Sequence, residues 1–121
     1  MRMWMVDPKI MCRQHLLGEH AELHMLIGTL QKGISVKGYL DDNLMEPESM
    51  YSRHDELVAE MGARGYNHKS PMKLLSVNMS RKIDREAALR ELLRRCPECR
   101  SGYNQLKYQE SLTNVYPTSP K

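Results

Sequence analysis

Apolar residues recur at helical spacing in three stretches of the chain. Between about Lys9 and Leu30, the residues Ile10, Met11, Leu16, Leu17, Leu23, Leu26, Ile27 and Leu30 return at separations of three, four and seven, as one buried helical face requires. Before it, MRMWMVD alternates large apolar side chains without a helical start. Asp7 can cap a helix there and Pro8 supplies the backbone angle of a first turn. Gly33 marks the stop. A second helix is predicted after Ser49, running through Leu57, Val58 and Met61, with Gly65 placed for a left-handed C-cap. The third is centred on DREAALRELLRRC, where Asp84 caps the start, Ala88, Leu89, Leu92, Leu93 and Cys96 form the apolar stripe, and Pro97 ends it.

Between these segments the periodicity lapses. Residues 31–48 carry Gly33, Gly38, Asp41, Asp42, Asn43 and Pro47 and read as one long connection; residues 66–80 read as another. Connections longer than about 12 to 15 residues are often functional. The stretch 102–121 is polar, with Tyr103, Tyr108 and Tyr116 scattered through it, and reads as a poorly structured tail. No repeat and no strand pattern is visible. The expectation is an all-α protein in which residues 1–121 form a single compact domain of three main helices with long loops.

Composition narrows the function classes. Hydrophobic residues make up 40% and charged residues 27% of the chain, which excludes wholesale disorder; Phe is absent and Met reaches 10, so the core must be Met- and Leu-rich. No apolar run approaches the roughly 20 residues of a membrane span, and no signal peptide is visible, so no membrane partner is expected. Three cysteines, an odd number without framework spacing, fit a reducing compartment, and the cytoplasm of a bacterial or phage-infected cell is the expected location. Net charge is only +3, but residues 1–63 hold 6 Lys/Arg against 10 Asp/Glu, whereas residues 64–100 hold 10 against 4. Such asymmetry suits an anionic partner such as DNA, and equally a solvated basic helix.

Candidate chemistry is densest in QHLLGEHAELH, residues 14–24. At about 100° per residue, His15, Glu19 and Glu22 share one narrow sector, a plausible acid/base face, while His20 and His24 form a separate stripe. Periodicity alone does not separate such a site from a solvated polar face. His20 and His24 are four apart, as in helical zinc sites, but they lack the HExxH order and an obvious third ligand. CPEC, residues 96–99, is half of a zinc site, and Cys12 does not complete a second CxxC; the motif reads first as a helix terminator with two reduced thiols, with metal binding alongside a His as the alternative. No metal and no cofactor is expected, although a metal-dependent protein using His15, His20 and His24 is a third reading. The stretch from Arg81 to Arg100 and the loop YNHKSP offer phosphate contacts.

Two blocks resemble a known family, the phage pyrimidine-dimer DNA glycosylases also called endonuclease V. QHLLGEHAEL, residues 14–23, resembles the family's QHL-x-x-E-x-x-EL helix; RHDELVAEMGARGYN, residues 53–67, resembles its R-x-x-EL-x-AE-x-x-x-RG-[FY]-N segment. The resemblance implies an all-α fold and a combined glycosylase and abasic-site lyase. In that chemistry an α-amine attacks C1′ of the damaged nucleotide, the base departs as an imine forms, and β-elimination breaks the strand. The last Glu of the first block, here Glu22, supports the charged sugar and moves protons. An ungapped count back from that block places the family's reactive amine on Met1, with Arg2 behind it. The family prototype instead begins with Thr after losing its initiator Met; here the bulky Arg2 should protect Met1 from removal. An unperturbed α-amine, with a pKa of about 7.7 to 8.0, is partly neutral at cellular pH.

The implied catalytic residues are therefore Met1 and Glu22, supported by Arg2, His15 and Glu19. DNA contacts are expected from Arg53, His54, Arg64, Tyr66, Asn67, His68, Lys69, Arg81 and Lys82. The implied partner is double-stranded DNA containing a damaged base, bound by a monomer, with a pyrimidine dimer as the leading lesion. Departures qualify the lesion: Ala21 stands where an Arg is usual, Met25 replaces a basic residue, and the prototype's aromatic, basic C-terminal segment has no counterpart after Gly102. The competing reading is a non-catalytic nucleic-acid-binding protein on the same scaffold.

Overall fold

The computed structural model describes residues 2–68 and 81–115, and within them every regular element is helical. In chain order these are α1 (Arg13–Gln31), α2 (Lys37–Asp41), α3 (Met50–Ala63), α4 (Arg85–Arg95) and α5 (Pro97–Val115), with short 3-10 turns at Pro8–Ile10 and Pro47–Ser49. The fold is all-α, as the periodicity predicts. No described helix is long and apolar enough to cross a membrane.

Local chemistry accounts for most of the helix limits. Asp7 accepts from the Lys9 amide and starts the Pro8 turn, and Asp84 accepts from the Ala87 amide and caps α4. Gly33 and Gly65 take left-handed backbone angles, φ 71° and 81°, where α1 and α3 end. α3 buries Met50, Arg53, His54, Leu57 and Met61, one face at spacings of three and four, against α1. From α1 come Leu16, Leu23, Leu26 and Ile27, and from the N-terminal segment Met3, Trp4 and Val6. Five of the buried residues, Met3, Met11, Met45, Met50 and Met61, are the flexible thioethers that fill irregular gaps where Phe is lacking.

Three expectations are corrected and one is extended. The first helix does not run unbroken from Lys9: the chain is extended at Met11 and Cys12, and the Cys12 sulfur caps α1 by accepting from the His15 amide. The long connection contains α2, closed by Leu44 N–H donating to Tyr39 O at 2.8 Å. Pro97 ends α4, which stops at Arg95, but it also begins α5 after one extended residue, Cys96, where a missing N–H costs nothing. The supposed tail is helical as far as Val115, because α5 packs on the Pro8 turn and α4. Gly102 permits that approach: a Cβ there would lie 2.5 Å from Ile10 O.

Candidate active site

Glu22 lies on the buried side of α1, 1% exposed, and neither carboxylate oxygen has a hydrogen-bond partner among the described residues. The phenol of Tyr39 is its polar neighbour: the Tyr39 pKa is raised, first by the Glu22 charge, then by burial and by a weak polar contact with the same carboxylate. The N-terminal segment enters beside this point, since Met3 N–H donates to Leu44 O at 2.9 Å and Leu44 N–H in turn holds Tyr39 O. Met1 itself lies outside the described residues, as does Lys69.

One turn earlier on α1, Gly18 and Glu19 form the wall of a cleft of about 470 Å³ that is also lined by Arg2, Trp4, Gln14, His15, Leu44, Glu91 and Arg95. Arg2 lies over the Trp4 ring, 4.5 Å from its centroid. Burial lowers the Arg2 pKa, Glu19 opposes that, and Arg95 adds repulsion, so two cations face this opening. Trp4, Leu44, Glu91 and Arg95 are residues of the cleft that the sequence reading did not single out; for Trp4, the one Trp of the chain, set in a non-helical apolar segment, a signal was available.

Several expected roles are corrected by where the side chains lie. Glu19 is no free acid or base: its two oxygens accept from Arg53 Nε and Nη2 at 2.7 and 2.9 Å, and both side chains are excluded from water. Arg53 also donates to Val6 O at 2.7 Å and to Glu56 at 3.0 Å, which uses its fork and removes it from phosphate contact. Arg64 binds Glu60, Pro8 O and Met11 O, clamping the end of α3 to the N-terminal segment. Tyr66 is half-buried with Arg13 over its ring at 5.5 Å. Of the expected DNA contacts within the described residues, Asn67, Arg81 and Lys82 stand at the surface.

The histidines are redistributed as well. His54 is buried and His68 half-buried, and both turn their rings toward His20 and His24 rather than toward a DNA surface. Ring centroids in this group lie 4.7 to 5.2 Å apart. Burial first, and then the like charges of the other three, lower the His20 pKa to about 4. His15 stands apart, its Nδ1 3.2 Å from Cys12 Sγ and 3.7 Å from Cys99 Sγ, and its ring edge-on to Trp4. The premise for expecting no metal therefore fails on both counts. His54 and His68 supply the missing partners of His20 and His24, and Cys12 with His15 completes the half-site of Cys96 and Cys99.

The fold and this region define a small all-α protein with a recessed carboxylate beside an arginine-flanked cleft. The family model for pyrimidine dimer DNA glycosylase matches residues 1–74, and the chain belongs to that family. It is accordingly a DNA-repair glycosylase whose substrate is DNA. The match spans α1, α2 and α3, while α4 and α5 lie beyond it. No curated protein and no solved structure matches the chain.

Proposed function

We propose that the protein excises a damaged pyrimidine, with a pyrimidine dimer as the leading lesion, through a Schiff base on the α-amine of Met1, followed by abasic-site lysis. The observation that carries this reading is the Glu22 carboxylate, buried without a hydrogen-bond partner among the described residues. A carboxylate buried in this way is stabilised by a cation beside it, and leaving it bare costs several kcal/mol, about the measure of a broken buried ion pair. Met3 is anchored to Leu44 O, and Leu44 in turn holds Tyr39, whose phenol senses the Glu22 charge, which supports placing the N-terminal segment on the side of this carboxylate. Neither family-like block contains a lysine to take the role.

The neutral amine attacks C1′ as the glycosidic bond breaks, with the bonding electrons and a proton leaving on the base. The nitrogen lone pair then expels O4′ from C1′, the sugar ring opens, and O4′ takes up a proton through Glu22, leaving the protonated imine. Removal of a C2′ proton then expels the 3′ phosphate, and water releases the amine. Glu22 stabilises the cationic sugar and exchanges the proton at each stage. Asn67, Arg81 and Lys82 are proposed to contact the DNA backbone, and affinity should fall steeply with salt.

Borohydride trapping on lesion-containing duplex, with untagged protein, tests the mechanism. The adduct should map to the N-terminal peptide, and acetylating Met1 should abolish it. Glu22→Gln should bind DNA within a few fold of the parent while losing about 100-fold or more in turnover. An adduct on a lysine would reassign the nucleophile. Tight binding without any adduct would instead favour the non-catalytic DNA binder, for which Ala21 in place of the usual Arg is the motivating observation.

A further inference from the structure

We propose that Cys12, His15, Cys96 and Cys99 hold a structural zinc ion. One ligand atom from each lies within 4.8 Å of all the others. The spacings are specific: Cys12 Sγ to Cys96 Sγ is 3.8 Å, Cys12 Sγ to His15 Nδ1 is 3.2 Å and Cys99 Sγ to His15 Nδ1 is 3.7 Å. Tetrahedral zinc, with Zn–S near 2.3 Å and Zn–N near 2.05 Å, has S···S edges of about 3.8 Å and S···N edges of about 3.6 Å. All three cysteines are free, and the Cys12 and Cys96 sulfurs, 3.8 Å apart, stand at zinc-tetrahedron rather than disulfide separation.

The surrounding backbone is arranged for thiolates. The amides of Cys12, His15 and Cys99 donate to the sulfurs of Cys99, Cys12 and Cys96 at 3.2, 3.4 and 3.4 Å, one donor for each sulfur. Cys12 caps α1, and Cys99 lies in the first turn of α5, where helix N-termini favour negative charge. With four protein ligands the site is closed, which assigns the ion to structure rather than to catalysis. It ties the start of α1, inside the family-matched region, to the junction of α4 and α5 beyond it.

The full-length protein, stripped by chelation under reducing conditions, should take up Co²⁺ with a thiolate-to-cobalt charge-transfer band that saturates at one equivalent and is displaced by Zn²⁺. Cys96→Ser with Cys99→Ser should lose the band and one zinc by elemental analysis. Should that variant not fold, thiol labelling of the parent gives the same reading: three protected thiols with zinc bound, three reactive after chelation. Folded, reduced protein that shows no charge-transfer band, or thiols equally reactive with and without zinc, overturns the proposal.

A separate observation carries a second site. His20 and His24 on α1, His54 on α3 and His68 after its C-cap bring ligand nitrogens within 4.8 Å of one another. The buried Nε2 atoms of His20, His24 and His68 have no hydrogen-bond partner among the described residues. A buried nitrogen of this kind is unfavourable unless something accepts its lone pair or proton. On the fourth ring, Nδ1 faces the Asp55 carboxylate at 3.7 Å, an outer contact that turns the opposite nitrogen inward, as in many metal-bound histidines. We infer that this set binds a divalent first-row transition ion, with zinc as the probe. The stripped protein should take up a second equivalent of Co²⁺ without charge-transfer absorption, and His24→Gln with His68→Gln should remove that equivalent alone. If that variant does not fold, the parent titration decides. Saturation of the parent at one equivalent, or a second equivalent retained by the folded double variant, refutes this site.

Discussion

The buried pairing of Arg53 with Glu19 makes a prediction that separates the structure from the sequence pattern. Arg53→Met removes a guanidinium that binds both Glu19 oxygens and Val6 O, and leaves a carboxylate with 0% side-chain exposure and no hydrogen-bonded counter-ion. Breaking one side of a buried pair costs about 3–5 kcal/mol. A chain of this length has about 6–18 kcal/mol of stability in all, at roughly 0.05–0.15 kcal/mol per residue. At about 3–5 °C per kcal/mol for this size, the melting temperature should fall by roughly 10–25 °C. Glu19→Gln should cost less, because Arg53 keeps Glu56 and Val6 O. Replacing both residues by apolar ones, Arg53→Met with Glu19→Leu, should recover much of the loss, since the desolvation cost disappears with the charges. Urea and thermal unfolding followed by circular dichroism measure all three. The opposite result, an Arg53→Met protein that melts within about 2 °C of the parent while its DNA-binding salt slope flattens by about 0.9, would make Arg53 a phosphate contact and refute the buried pair.

Glu46 gives the pH dependence: burial works to raise its pKa, but hydrogen bonds from Arg85, Ser49 and the Ile83 amide outweigh that and hold it below the ordinary 4.5. Its stabilisation is therefore full above about pH 4.5 and lost as pH falls through the lower folded value, so Glu46→Gln should be less stable than the parent at neutral pH and converge with it in acid, measured by urea midpoints. A gap that persists at low pH would assign the effect to packing. Gly102→Ala should cost about 1–3 kcal/mol, because its Cβ would meet Ile10 O at 2.5 Å, whereas Gly28→Ala, with nothing within 4 Å, should stabilise α1 by about 0.5–1 kcal/mol. Equal melting shifts for the two would mean that α5 does not pack against the Pro8 turn.

Determinants within a few residues of one another were legible in the sequence. Asp7 before Pro8, Asp84 before the Ala87 amide, and glycines at 33 and 65 act through the backbone of their own turn, so they fixed where the Pro8 turn and α4 begin and where α1 and α3 end. The family-like spacing of residues 14–23 and 53–67 likewise survives in sequence, because residues on one helix keep their relative directions. What a side chain meets across the fold is not encoded in spacing. Arg53 and Glu19 were read as solvent-facing groups with separate tasks, yet they lie 34 residues apart and neutralise each other in the core. α5 was missed because its weak amphipathicity matters only once Gly102 lets it close on Ile10 O. The two ligand clusters were missed for the same reason: Cys12 and Cys96 are 84 residues apart, and His20 meets His54 and His68 only after α1 and α3 pack. Helix propensity and capping are local energies that the chain states directly, whereas ion pairing and ligand convergence depend on which faces the buried core forces together.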